Sequence, residues 1–299
     1  MTQTDSHLLG HPQPEQPGDV PPTADPSSPP HAAAAPPRPA GQPSPPPPPP
    51  SRGAALAALL DPATMRRIDR LGLTTGWRCW VVEAGGDALV GLLAKRVGPT
   101  GRVVATDLDV SWARSPIRPP LEVVRHDIGR DAPPGEGFDL VHVRLALAHV
   151  PDREQALRTM IRALRPGGRL LVEEADPALQ PLPCPDEYGA AQQLANRIGK
   201  GCAAVLAGHG GDRAQGRTLP RLLREYGLVQ VGADAHFALS GPEAAALDAA
   251  TVGELRDRLV TGGCASDAEI DRHLEQLASG ALEVAAPPLV SAWGRRPAR

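Results

Sequence analysis

The 299-residue chain sets 31 Lys and Arg against 34 Asp and Glu, for a formal net charge of −3, and only 3% of it is aromatic. With no basic block interleaved with aromatics, this balance argues against a nucleic-acid-binding surface. Of its 36 prolines, 18 fall in residues 1–50, ending in the run Pro45–Pro50. That composition cannot bury enough apolar surface to offset its ordering entropy, so residues 1–52 are expected to form a disordered tail, at most a polyproline II ligand. Residues 53–299 are long enough for one large domain. No apolar stretch has the length of a membrane span or the place of a signal-peptide core, and a cytoplasmic protein without a membrane partner is expected. Cys79, Cys184, Cys202 and Cys264 lie far apart, without metal-ligand spacing, and are expected to be reduced thiols with no metal site.

Leu56, Leu59 and Leu60 recur at helical spacing before Asp61-Pro62, which reads as the cap and first position of a second helix running through Met65, Ile68 and Leu71 to Gly72. Cys79–Val82 is a short apolar run suited to a buried parallel strand. The turn Glu83-Ala84-Gly85-Gly86-Asp87 then leads into a helix carrying Leu89, Leu92, Leu93 and Val97, and Gly98-Pro99 ends it before a strand at Val103–Thr106. Further strands are expected at Leu121–Val124, Phe138–Val143 and Arg169–Glu173, with a helix through Leu157, Met160, Ile161 and Leu164 between the last two. Helices follow at 186–208 and 219–226, a sixth strand at 228–239, helices at 243–260 and 266–279, and a last strand at 289–293. Strands alternating with helices in this way define a doubly wound α/β sheet.

Five segments carry a resemblance: Gly76–Cys79, Arg96–Asp109, Phe138–Leu145 with His149-Val150-Pro151, Leu164–Glu174 and Pro287–Arg296. In order and spacing they resemble class I S-adenosylmethionine-dependent methyltransferases of the actinobacterial small-molecule type. The resemblance implies a Rossmann-like seven-stranded sheet with its last strand antiparallel. Its core would span about 75–175 and 218–297, with lid helices at about 53–72, 178–217 and 243–280 covering a substrate site.

The resemblance also implies S-adenosylmethionine as cofactor. The backbone of Glu83, Gly85 and Gly86 would approach it, Asp107 would accept its ribose hydroxyls, and Leu108 would pack on the adenine. Asp127 would accept from the exocyclic amine with Ile128 beside it, and Arg144 is assigned to the same site. A close approach favours glycine, because a Cβ obstructs it. Aligned without gaps, however, Val81 stands at the family's acid, and Glu83 and Asp87 replace two of its three glycines. A shifted frame makes Glu83 the acid but needs a two-residue deletion, so the ungapped frame is preferred. Two carboxylates then flank the place of the sulfonium and the methionine carboxylate.

After the fourth strand come His142, Arg144 and His149. His149, at a loop-to-helix boundary, is the candidate base, whereas His142 lies inside the strand and reads as structural. Tyr188, Asn196, Arg197, His209 and Arg213 are candidate acceptor contacts. The implied function is methyl transfer to a small-molecule acceptor in specialised metabolism. The alternative is a catalytically impaired relative acting as a binding or scaffolding partner, with Val81, Glu83 and Asp87 as its grounds. A nicotinamide-dependent oxidoreductase is disfavoured because G-x-G-x-x-G is absent.

Overall fold

The computed structural model describes residues 50–113, 118–207 and 216–298. Residues 1–49 of the expected tail lie outside them, as do His209 and Arg213. The elements run α1 (Arg52–Arg70), β1 (Arg78–Val82), α2 (Ala88–Val97), β2 (Arg102–Asp107), β3 (Leu121–Arg125), β4 (Phe138–Arg144), α3 (Arg153–Ala163) and β5 (Leu164–Ala175). They continue with α4 (Ala190–Ala207), α5 (Leu219–Glu225), β6 (Val229–His236), α6 (Pro242–Thr261), α7 (Asp267–Ala278) and β7 (Leu289–Arg295).

The seven strands form one sheet in the order β3-β2-β1-β4-β5-β7-β6, and β7 alone runs antiparallel to its neighbours. Alternation along β1 explains its two buried faces. Trp80 and Val82 join one core with Leu157 and Met160 of α3 and Leu219 and Leu223 of α5. Cys79 and Val81 join the other, with Ile68 of α1 and Leu93 of α2. Helices α4, α6 and α7 bury a separate core of Leu194, Ile198, Leu255 and Ile270. A capping box between Ser266 and Glu269 starts α7.

The expected break at Asp61-Pro62 does not occur, and α1 continues through Pro62. A proline inside a helix forfeits one backbone hydrogen bond. Here burial of Leu60, Ala63, Met65 and Ile68 outweighs that loss. Asp61 is not a cap, because its carboxylate accepts from the Arg144 guanidinium at 2.7 Å. Strand order reverses between β1 and β4, so a crevice opens at their carboxyl ends, where sheets of this kind bind ligands.

Candidate cofactor cleft and adjoining cavity

At that crevice lies a cleft of about 460 Å³. All nine sequence-predicted site residues line it: Glu83, Gly85, Gly86, Asp107, Leu108, Asp127, Ile128, Arg144 and His149. Asp107, at the tip of β2, accepts from the Gly85 N–H at 2.8 Å and from the Asp109 N–H at 3.2 Å, which ties the first turn to the second strand. Leu108 leaves 53% of its surface exposed at the cleft, an apolar face open to a ring. Asp127 spends one oxygen on the Gly129 N–H at 2.8 Å, so it shapes its own turn while facing the cleft.

Glu83 has φ +50°. A non-glycine residue in the left-handed region is strained, so the backbone keeps a glycine's conformation where a glutamate stands. Burial first, then Asp107 and Asp127, push the Glu83 carboxyl up to about 7, against the opposing hydrogen bond from the Leu108 N–H. Asp87 behaves differently: it precedes α2 as an exposed N-cap residue whose side chain makes no capping bond, and it is absent from the cleft wall. Only one of the two expected acids therefore faces the cleft. Val81 is buried on the sheet face below it and cannot stand in for the family's acid.

Arg144 lines the cleft, yet its guanidinium donates to Asp61 at 2.7 Å and Thr64 at 3.1 Å. Besides lining the cleft, it fastens α1 to the end of β4. Thr64 in turn donates to Glu173 at 2.6 Å, and Glu173 also accepts from Ser291 at 2.6 Å and lies 3.0 Å from His142 Nε2. His142 is thus structural, as its position within a strand implied. This buried network is not apparent from the sequence. Its signal is the pair Glu173-Glu174 ending an otherwise apolar parallel strand, a place where carboxylates need partners.

A second, largely apolar cavity of about 350 Å³ adjoins the first. Leu56, Leu145 and His149 line both. Leu145, at φ +57°, and the 3₁₀ turn Leu147–His149 form the partition. Glu174 holds that partition, accepting from the Leu147 N–H at 2.8 Å. Burial pushes its carboxyl up to about 7 despite the opposing amides of Leu147, Ala146 and Ala148. A raised carboxyl favours the folded state when protonated, so its stabilisation is complete below the unfolded value near 4.5 and is lost as pH rises through about 7. The expected loss is about 3 kcal/mol between about pH 4.5 and pH 8. Urea denaturation across that range should show Glu174→Gln lacking this loss; parallel pH profiles for variant and wild type would refute it.

The remaining acceptor candidates lie elsewhere. Tyr188 is 96% exposed, Arg197 pairs with Glu269, and buried Asn196 accepts from the Cys184 N–H at 2.8 Å. None of the three lines the cavity. Among the described residues no cluster could hold a metal ion, and all four cysteines are free thiols.

The sheet order and its flanking helices are those of a Rossmann-like methyltransferase fold. Residues 82–172 match the family described as "Methyltransferase domain". The ubiquinone/menaquinone biosynthesis C-methyltransferase of Pseudomonas fluorescens is 35% identical over 115 residues, which cover 36% of this chain and 45% of that one. The same enzyme of Hahella chejuensis is 33% identical over 126 residues, 38% and 49% of the two chains. The chain thus spans about half the length of the curated relatives it matches. Among solved structures, a putative methyltransferase from an antibiotic biosynthesis pathway of Anabaena variabilis superposes with TM-score 0.54 and 15% identity, covering 79% of this chain and 98% of that one. A Haemonchus contortus phosphoethanolamine N-methyltransferase 2, in complex with S-adenosyl-L-methionine, gives 0.50 and 13%, covering 79% and 52%. Over residues 82–172 this chain is therefore similar to methyltransferase domains, and the Haemonchus enzyme of like fold holds S-adenosyl-L-methionine. The cleft fits such a group in volume, in the strand-end carboxylate of Asp107 and in the open face of Leu108; Glu83 is the discordant wall.

Proposed function

We propose that the chain methylates a small-molecule acceptor in specialised metabolism, within the cytoplasm. The supporting observation is the pair of adjoining cavities, one at the nucleotide-binding crevice and one apolar, that share Leu56, Leu145 and His149 as their common wall. Bound in the first, S-adenosylmethionine would supply an activated methyl carbon, and the protein would then have to align an acceptor against it. Asp107 would hold the ribose and the backbone of Gly85 and Gly86 the amino-acid arm. His149 stands on the shared wall, where it could accept a proton from an acceptor. Free thiols support the cytoplasmic assignment.

Titration calorimetry with S-adenosylhomocysteine tests the reading. Wild type should bind, and Asp107→Ala should weaken binding by at least about tenfold through two lost charge-assisted hydrogen bonds. Absence of binding by the wild type would favour the second reading, a relative that kept the fold as a binding or scaffolding partner, for which the strained Glu83 speaks. Once an acceptor is in hand, His149→Ala should depress turnover by roughly 100-fold at unchanged cofactor affinity. Unchanged turnover rejects His149 as the base.

A further inference from the structure

Helix α1 divides the two cavities by its periodicity. Gly53, Ala57 and Asp61, spaced four apart, face the cofactor cleft, whereas Arg52, Leu59 and Leu60 face the apolar cavity and Leu56 touches both. Most polar side chains on the cavity wall are already engaged. Glu174 accepts from backbone amides, Gln180 donates to the Leu182 carbonyl at 2.8 Å, and Thr251 donates to the Leu247 carbonyl at 2.7 Å. Asp248 lies 2.7 Å from His273 Nε2. Arg52 is the exception: its Nε is buried with no hydrogen-bond partner. Among the described residues no carboxylate pairs with it, although Glu174 and Asp248 belong to the same wall. A buried guanidinium nitrogen without a partner, on the wall of an apolar cavity, is costly unless a ligand supplies an acceptor.

We propose that the apolar cavity takes an acceptor that carries a carboxylate, and that Arg52 binds this carboxylate. The proposal rests on reading the cavity as the acceptor site. A carboxylate matches the planar guanidinium fork, and a single negative charge suits a wall that already holds Glu174 and Asp248. Arg52 lies one helical turn before Leu56, so the carboxylate sits about 6 Å along α1 from the shared partition. It is therefore a handle rather than the methylated group. The body of the acceptor lies among the leucines, and its nucleophile points to Leu145 and His149.

The test uses the full chain, without cofactor, and two fluorescent probes of one shape: 1-naphthaleneacetate and the neutral 1-naphthaleneethanol. Fluorescence titration should show the carboxylate binding at least about tenfold more tightly than the alcohol. Arg52→Gln should remove that preference while leaving alcohol affinity within about twofold. Ala203→Trp, a substitution at an exposed residue of the cavity wall, should weaken both probes. Equal binding of the two probes to the wild type, binding of neither, equal weakening of both by Arg52→Gln, or indifference to Ala203→Trp would each overturn the proposal. Failure here with intact S-adenosylhomocysteine binding removes the Arg52 assignment alone, whereas loss of cofactor binding strikes the methyltransferase reading itself.

Discussion

Replacing Glu83 by glycine is expected to tighten S-adenosylhomocysteine binding by about tenfold or more, read by calorimetry. Backbone strain and cleft electrostatics push the same way. The glutamate holds φ +50°, and a glycine takes that conformation without the roughly 1 kcal/mol steric penalty of a Cβ in the left-handed region. Part of that gain is offset by glycine's greater unfolded-state entropy, so the change in stability should be small. The cleft itself is affected more. Glu83 is half-buried beside Asp107 and Asp127, and its carboxyl, pushed up to about 7, is charged in part at neutral pH where a nucleoside must approach. Removing it opens the wall and restores the close backbone approach that glycine permits. Asp87→Gly, by contrast, should leave affinity within about twofold, because Asp87 is exposed and off the cleft wall. Loss of binding in Glu83→Gly would show instead that the glutamate is part of the cofactor site.

That contrast between Glu83 and Asp87 is invisible in the sequence. In the ungapped frame both stand where glycines are expected in one turn, and along the chain they are equivalent. Their separation arises because the turn ends in α2: Glu83 follows β1 directly and points into the crevice, while Asp87 already belongs to the helix start. Strand and helix order was legible because apolar runs such as Cys79–Val82 and Val103–Thr106 have one way to be buried, between two layers of helices. The cleft was legible for the same reason, since Asp107 and Asp127 close consecutive strands in register with the first turn. Contacts between segments far apart in the chain were not. Arg144 ends β4 at the cleft, but that Asp61 and Thr64, some eighty residues earlier, accept from its guanidinium is not visible in the chain. Pro62 looked like a helix start because its missing N–H is harmless there, and only packing of α1 on the sheet lets the helix run through it. The unpartnered Nε of Arg52 likewise depends on α6 packing against α1 and on α4 walling the same cavity, which no local pattern announces.

Glu173→Ala is expected to destabilise the fold by about 3–5 kcal/mol at neutral pH, because it removes the acceptor at the centre of a buried network. Thr64, His142 and Ser291 would each lose the oxygen they contact, inside a buried region. Thr64 is also the link through which Arg144 fastens α1, so the loss reaches the helix that walls both cavities. The pH dependence separates this carboxylate from a merely well-packed side chain. Burial by itself would raise its pKa, but the imidazole of His142 and the hydroxyls of Ser291 and Thr64 prevail and hold it down at about 2. A depressed carboxyl stabilises the fold above its unfolded value near 4.5, and that contribution drains away as pH falls toward about 2. The stability difference between wild type and Glu173→Ala, measured by urea denaturation, should therefore be largest near neutrality and narrow by about 3 kcal/mol on acidification through that window. Glu173→Gln, which keeps the shape and one acceptor oxygen, should fall between the two. A difference that stays constant from neutral to acid would mean that the network holds Glu173 by packing and not by its charge.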